Sequence, residues 1–351
     1  MSINPNWYPC VVIDHPLFEI YEAGPGHLES PERVIAIREA LRNAPFNTIL
    51  QFLEPRDAQL SEIALVHNER YIEAIRRLCE AGGAYIPSME ATVTPISWES
   101  AIKAAGAGLT LADLLTKWGD ENKTVSLSGG QRIGSSKEVI PFFSFALTRP
   151  PGHHAIREKP MGFCIFNNIA ITARYLLEER GWQRIAIVDF DVHHGNGTQE
   201  AFWTDDRVLF VSFHRRNLYP YGWGSDKEIG EGMGKGYTLN LPLDPGAGDD
   251  TYRQLWEEKV DPALLEFHPQ IVLVSAGFDA HYLDPLGGMR LTQKGYQMIG
   301  QKLQSIVMKS SAKGLLALLE GGYDLRGLKE GVTGFLQGVL QKSTEEAHKS
   351  D

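Results

Sequence analysis

From Phe142 onward, short apolar runs alternate with segments of helical period. The runs at 142–148, 184–188, 207–213, 236–241, 271–276 and 315–319 read as strands. Those at 167–180, 198–203, 249–267, 292–310 and 326–341 read as helices. Such alternation predicts βαβ units, a mostly parallel sheet with helices on both faces, and an α/β fold. Ile185-Ala186-Ile187-Val188 and Ile271-Val272-Leu273-Val274 are apolar without a polar face, as in strands covered on both sides. Upstream, Pro31–Asn43 reads as an amphipathic helix with Ser30 as its cap and Pro31 in its first turn. Ser61–Glu80 is helical in period, with a break near His67-Asn68 and a stop at Gly82-Gly83, and Ser97–Trp118 forms another helix. The polar stretch Glu121–Lys137 reads as a surface loop, and His214–Lys235, rich in Gly, Tyr and Trp, as a long loop beside a cleft. The expected organisation is one domain over 1–351, with a core from about 14 to 341 and a polar tail at 342–351.

Composition narrows the class. The chain is 43% hydrophobic and 22% charged, ordinary for a globular enzyme. Cys10, Cys79 and Cys164 are odd in number and scattered, which fits a reducing compartment and no disulfide framework. The start lacks a basic stretch followed by an apolar core, and no apolar run approaches the ~20 residues of a membrane span, so a cytoplasmic protein is expected. A net charge of -10 disfavours direct nucleic-acid binding.

Polar clusters follow four of the expected strands: Arg149–His154, Asp189–Gly197, Gly277–Asp279 and Glu320–Asp324. Open parallel sheets bind ligands outside the carboxyl ends of their strands, so the clusters should share one cleft. If the chain stays extended, Asp189, Asp191 and His193 point the same way. Mixed oxygen and imidazole donors suit zinc or iron(II) better than magnesium. Asp191 and His193 supply two ligands, and Asp279 is the best third. A lone Asp or His is more often just hydrogen-bonded; a dense Asp-x-Asp-x-His-His run at a strand end reverses that balance. His153 and His154, behind a rigid Pro-Pro-Gly, are placed for proton transfer during amide hydrolysis. Asp189 and Asn196 remain as orienting partners for their rings. Tyr323, after two glycines, can swing a phenol over the cleft and donate to an oxyanion, although an aromatic packed on a turn is an equal reading of that residue alone.

These blocks, with Gly162–Asn168, Asp284–Gly288 and the earlier Gly24–Arg33, resemble the signature blocks of the zinc-dependent histone deacetylase superfamily, which includes acetylpolyamine amidohydrolases and acetoin-utilisation proteins. Asn196 resembles the class II and bacterial branch. The resemblance implies an arginase/deacetylase-like fold and hydrolysis of an N-acetyl amide, on protein acetyl-lysine or a small acetylated amine. It implies one zinc ion on Asp191, His193 and Asp279, with His154 as general base and acid oriented by Asn196. His153 would be its electrostatic partner, paired with Asp189, and Tyr323 would polarise the carbonyl. Phe163 and Tyr219 would flank the acyl chain, and the Gly162 carbonyl would accept from its amide. A potassium ion would use Asp189, Asp191, His193, Ser212 and Phe213.

The chain also departs from the family. Where relatives carry an acidic residue that holds substrate backbone, Glu90 is the nearest match. The insertion 121–141 is long. Leu286 stands where polyamine-specific relatives carry an acidic gatekeeper, and Arg215-Arg216 makes the rim basic; both lean away from polyamines. A binuclear manganese ureohydrolase is the rival within hydrolases, but Gly277 removes the second carboxylate it needs. An inactive acetyl-lysine-binding protein is the rival outside them, and usually lacks a ligand or the tyrosine.

Overall fold

A computed structural model describes residues 6–121 and 140–342. Glu121, expected to open a loop, ends the helix Pro95–Glu121 instead; the rest of that loop to 137, most of the insertion 121–141 and the tail beyond 342 lie outside the described residues. The strands are β1 (Cys10–Ile13), β2 (Leu50–Leu53), β3 (Ala84–Ile86), β4 (Ala91–Val93), β5 (Phe142–Ala146), β6 (Ile185–Asp189), β7 (Val208–Arg215), β8 (Thr238–Leu243), β9 (Ile271–Ala276) and β10 (Gly314–Leu319). Eight of them form one sheet in the order β2-β1-β5-β10-β9-β6-β7-β8, and β3 and β4 form a separate hairpin. Every pairing in the large sheet is parallel.

Alternate residues of the central strands feed two apolar layers. Val188, Val274 and Ala317 pack on one face with residues of the helices Glu32–Asn43, Gln293–Lys309 and Leu325–Leu340. Ile187, Leu273 and Leu316 pack on the other with the helices Glu69–Glu80, Pro95–Glu121 and Asn168–Arg180. Central strands buried on both faces explain the uninterrupted apolar runs.

Several expectations change in detail. The sheet begins at Cys10, and Trp7 bridges Gln341, so ordered structure starts before residue 14. Ser30 does not cap the first long helix with its side chain; Pro31 takes the cap position, and the Ser30 carbonyl accepts from Arg33 N–H. The expected helix 249–267 contains a wider turn at Trp256–Val260, next to Asp261-Pro262. A proline lacks the N–H that would continue the regular ladder there.

Candidate active site

The four polar clusters follow β5, β6, β9 and β10, which are neighbours at the centre of the sheet. Asp189 pairs in register with Ser275 and Ser212, so the ends of β6 and β9 lie nearly level while β7 runs on to Arg215. The extended course expected for Asp189–His193 is not seen. The strand stops at Asp189, and two successive turns follow, in which Asp189 Oδ1 accepts from Asp191 N–H at 3.1 Å and Asp191 Oδ1 from His193 N–H at 2.8 Å. Asx turns of this kind are what short carboxylate side chains favour.

The turns bring ligand-type atoms of Asp191, His193 and Asp279 within 4.8 Å of one another. The remaining carboxylate oxygens are held by backbone: Asp279 Oδ1 accepts from Val192 N–H and Asp191 Oδ2 from Gly321 N–H, each at 2.8 Å. His193 Nδ1 faces Asp191 Oδ1 and Asp279 Oδ2, both at 3.0 Å. Lone pairs on all three atoms repel unless a proton or a shared cation lies between them. Burial opposes a charge on His193, but the bonds to the two carboxylates outweigh it and push its pKa up to about 10. This donor set, two carboxylate oxygens and one imidazole nitrogen, fits a cation of the zinc type. Space excludes side chains beside it: a Cβ on Gly277 would lie 2.1 Å from Asp191 Oδ2, and one on Gly321 2.2 Å from Asp279 Oδ2.

The rings of His153 and His154 lie 4.0 Å apart. His153 Nδ1 meets Asp189 Oδ2 at 2.9 Å. Burial would lower the pKa of His153, but the charges of Asp189, Asp191 and Glu320 push it up to about 10. His154 Nδ1 meets Asn196 Oδ1 at 2.8 Å, and Asn196 Nδ2 donates to the His154 carbonyl at 3.2 Å. That carbonyl can only accept, which fixes the amide orientation and makes Nδ1 the donor. Nε2 of His154 therefore carries a free lone pair. Burial, then the charges of His153 and His193, keep the His154 pKa well below the usual histidine range.

Aromatic groups wall the approach. The Tyr219 ring stands edge-on to His154 at 5.1 Å, and Phe163 is edge-on to Tyr323 at 5.8 Å and to His27 at 4.6 Å. Gly162 has φ +46, and a Cβ on it would strike the His154 ring at 2.4 Å. Burial, then the charge of Asp279, raises the Tyr323 pKa well above the usual phenol range, so the hydroxyl stays a donor. Glu90 sits in the left-handed region at φ +55, and its carbonyl meets His27 Nε2 at 3.1 Å. Leu286 is half-buried; its N–H donates to Asp284 Oδ1 while Asp284 Oδ2 accepts from Tyr323 N–H. Arg215 reaches the same loop, its Nη1 donating to the Gly287 carbonyl at 3.2 Å. Of the residues expected around a potassium ion, Ser212 Oγ is shared with His214 Nδ1 at 3.0 Å, and Phe213 stacks between Tyr252 and Trp256.

A buried ion network was not foreseen. Glu29, Arg33 and Arg149 are all fully buried. Glu29 accepts from Arg149 Nε at 2.5 Å and from Arg33 Nη1 at 2.9 Å. Arg33 also donates to the carbonyls of Gly322 and Glu320 and lies 5.1 Å over the Tyr323 ring. Glu29 and Arg33 fall within the early block and Arg149 heads the histidine turn, but only the fold brings the three together.

Residues 27–339 match the family model described as Histone deacetylase domain. The chain is 38% identical over 336 residues to "Histone deacetylase 10, chloroplastic" of Oryza sativa subsp. japonica, covering 93% of this chain and 72% of the relative. It is 33% identical over 301 residues to "Histone deacetylase-like amidohydrolase" of Pseudomonas aeruginosa, covering 86% and 73%. The crystal structure of the HDA15 HD domain superposes with a TM-score of 0.79 at 32% identity, over 98% of this chain and 92% of that one. Fold and relatives alike point to the deacetylase and amidohydrolase class of hydrolases. The chain belongs to the histone deacetylase family. Among the described residues no helix is long and apolar enough to cross a membrane.

Proposed function

We propose that the protein is a zinc-dependent amidohydrolase that removes an acetyl group from acetyl-lysine in proteins or from a small acetylated amine. The observation that carries this reading is the convergence of Asp191, His193 and Asp279 beside a His154 whose free nitrogen is fixed by Asn196. Asp191, His193 and Asp279 would hold the ion. A bound zinc ion supplies Lewis acidity, which polarises a carbonyl and acidifies water. His154 Nε2 takes a proton from the attacking water and returns it to the departing amine. Asn196 keeps that nitrogen unprotonated at rest by occupying Nδ1. His153, held by Asp189, adds positive charge close by and keeps His154 neutral until the transfer. The Tyr323 hydroxyl donates to the oxygen that becomes an oxyanion. Phe163 and Tyr219 flank an extended aliphatic chain, Gly162 offers a carbonyl to its amide, and Glu90 and Leu286 line the rim. The level register of Asp189 and Ser212 supports a potassium ion held by the Asp189–His193 turns, Ser212 and Phe213.

Metal analysis of purified protein, paired with acetate release from acetyl-lysine peptides and acetylated polyamines, tests the reading. One equivalent of zinc and turnover of at least one acetyl amide are expected. Two equivalents of manganese with no zinc, and activity restored by manganese alone, would overturn it.

A further inference from the structure

Glu320, the first residue past β10, is fully buried. Its Oε2 accepts from Gly152 N–H at 2.7 Å and from His153 N–H at 3.2 Å. Its Oε1 has no hydrogen-bond partner in the structure. Its own N–H donates to the Ala276 carbonyl at 3.0 Å, which ties it to the end of β9. Its main-chain carbonyl accepts from Arg33, which also donates to the Gly322 carbonyl at 2.7 Å and covers the Tyr323 ring. The side chain thus grips the turn that carries the histidine pair, and the backbone of the same residue is fastened to the turn that carries Tyr323.

Burying a carboxylate with one oxygen unpaired is unfavourable, and an apolar residue of similar volume would fill the space at lower cost. The one thing the apolar residue cannot do is accept two successive N–H groups. We propose that Glu320 is a positioning residue for the deacetylation described above. Its acceptor oxygen sets the distance between His154 and the Tyr323 hydroxyl, the two groups to which that function assigns proton transfer and the oxyanion. The inference rests on the proposed function, because that reading assigns those two groups their work. It requires an acceptor at the Oε2 position and does not require a charge, since an amide oxygen can take both bonds.

The test compares Glu320→Gln, which keeps an acceptor, with Glu320→Met, which keeps volume and removes it. The Met variant should lose about 10- to 100-fold in kcat, the range seen when a partner behind an active-site ligand is removed. Its KM and metal content should stay near wild type. The Gln variant should recover most of that loss. If the Met variant does not fold, Glu320→Asp takes its place, because the shortened side chain cannot span both N–H groups. A Met or Asp variant with wild-type kcat per folded molecule would overturn the proposal, as would a Gln variant as impaired as Met. Amide exchange at Gly152 and His153 reads the same contact without turnover. If wild-type protein hydrolyses no acetyl amide, the proposed function fails by itself. Equal exchange in the Gln and Met variants would then sink the positioning role too, whereas loss of protection confined to the variant lacking the acceptor would uphold the contact.

Discussion

The two ends of the sheet both gather polar and charged side chains, and they differ in kind. At the amino ends of β6, β7, β9 and β10 lies a cavity of about 1460 Å³, lined by Trp182, Arg184, Arg207, Tyr237, His268 and Lys313 among others. Its charged groups form ordinary, partly exposed pairs, such as Arg207 with Asp205 and Arg180 with Asp113. Pairs of that sort contribute about 0–1 kcal/mol each. At the carboxyl ends, Asp189, Asp191, His153, His154, His193 and Asp279 are all buried, and each is bonded to another group of the site or to backbone around it. Charge that is costly to bury and mutually constrained marks chemistry; volume does not.

If the carboxyl end holds the chemistry, the largest effect should come from His154→Ala. Turnover should fall by about 10²–10⁴-fold with substrate affinity retained, because proton transfer is removed and the walls are not. Steady-state kinetics on the best acetyl amide check this, and near-wild-type kcat would break the contrast between the two ends. Tyr323→Phe should cost about 10²–10³-fold, since one donor to the oxyanion is lost while ring contacts with Phe163 and Arg33 remain. Thermal stability and metal content measured on the same preparation should be unchanged. A lower melting temperature with preserved turnover would make the residue structural.

A smaller effect concerns acid stability. His67 lies beneath the site: Nδ1 meets the Ile156 carbonyl at 3.1 Å, and Nε2 accepts from Asn167 N–H at 2.8 Å. Protonation would set a donor against a donor. Burial lowers the His67 pKa from 6.5 to about 4. Between those values the unfolded chain binds more protons than the folded one, so stability rises with pH across the window and is lost as pH falls from 6.5 towards 4. Integrated over that window, the His67 shift amounts to about 3 kcal/mol of stability. Denaturant unfolding at pH 4.5 and pH 7 should show a flatter dependence for His67→Gln than for wild type. The smallest effect should come from the opposite end. Lys313→Ala and Arg184→Ala in the groove should change turnover less than about twofold and stability by no more than about 0.5 kcal/mol. A tenfold loss in either would give the groove a part in the reaction.

The central strands and the convergence of polar clusters at their ends were legible because long-range packing and local pattern agree there. Each cluster follows a strand whose apolar run is readable by itself. The peripheral strands were not. β1 is four residues long, and its partners β2 and β5 lie far along the chain. The edge strand β2 has two exposed residues, and β3 and β4 have three residues each. Such segments become strands because of what they pair with, not because of their own sequence. The Glu29–Arg33–Arg149 network escaped for a related reason. Its cost is offset only when all three charges meet, and removing one from a buried set of this kind costs about 3–5 kcal/mol. Glu320 stood inside a recognised block, but its bonds to Gly152 and His153 cross between β10 and the turn after β5, a proximity no local spacing encodes.

The glycines beneath the ligand carboxylates bear on how this centre can be remodelled. The space where a side chain at Gly277 would begin is already filled by Asp191 Oδ2, and the space at Gly321 by Asp279 Oδ2. Adding a carboxylate at either position, the obvious engineering route to a second ion, would push aside a carboxylate of the proposed metal triad. In the proposed centre, crowding as well as the supply of acidic residues would then limit the number of ions. A redesign towards a two-metal hydrolase would have to move the β9 end away from that of β6, or the β10 end away from that of β9, before any new ligand could be installed.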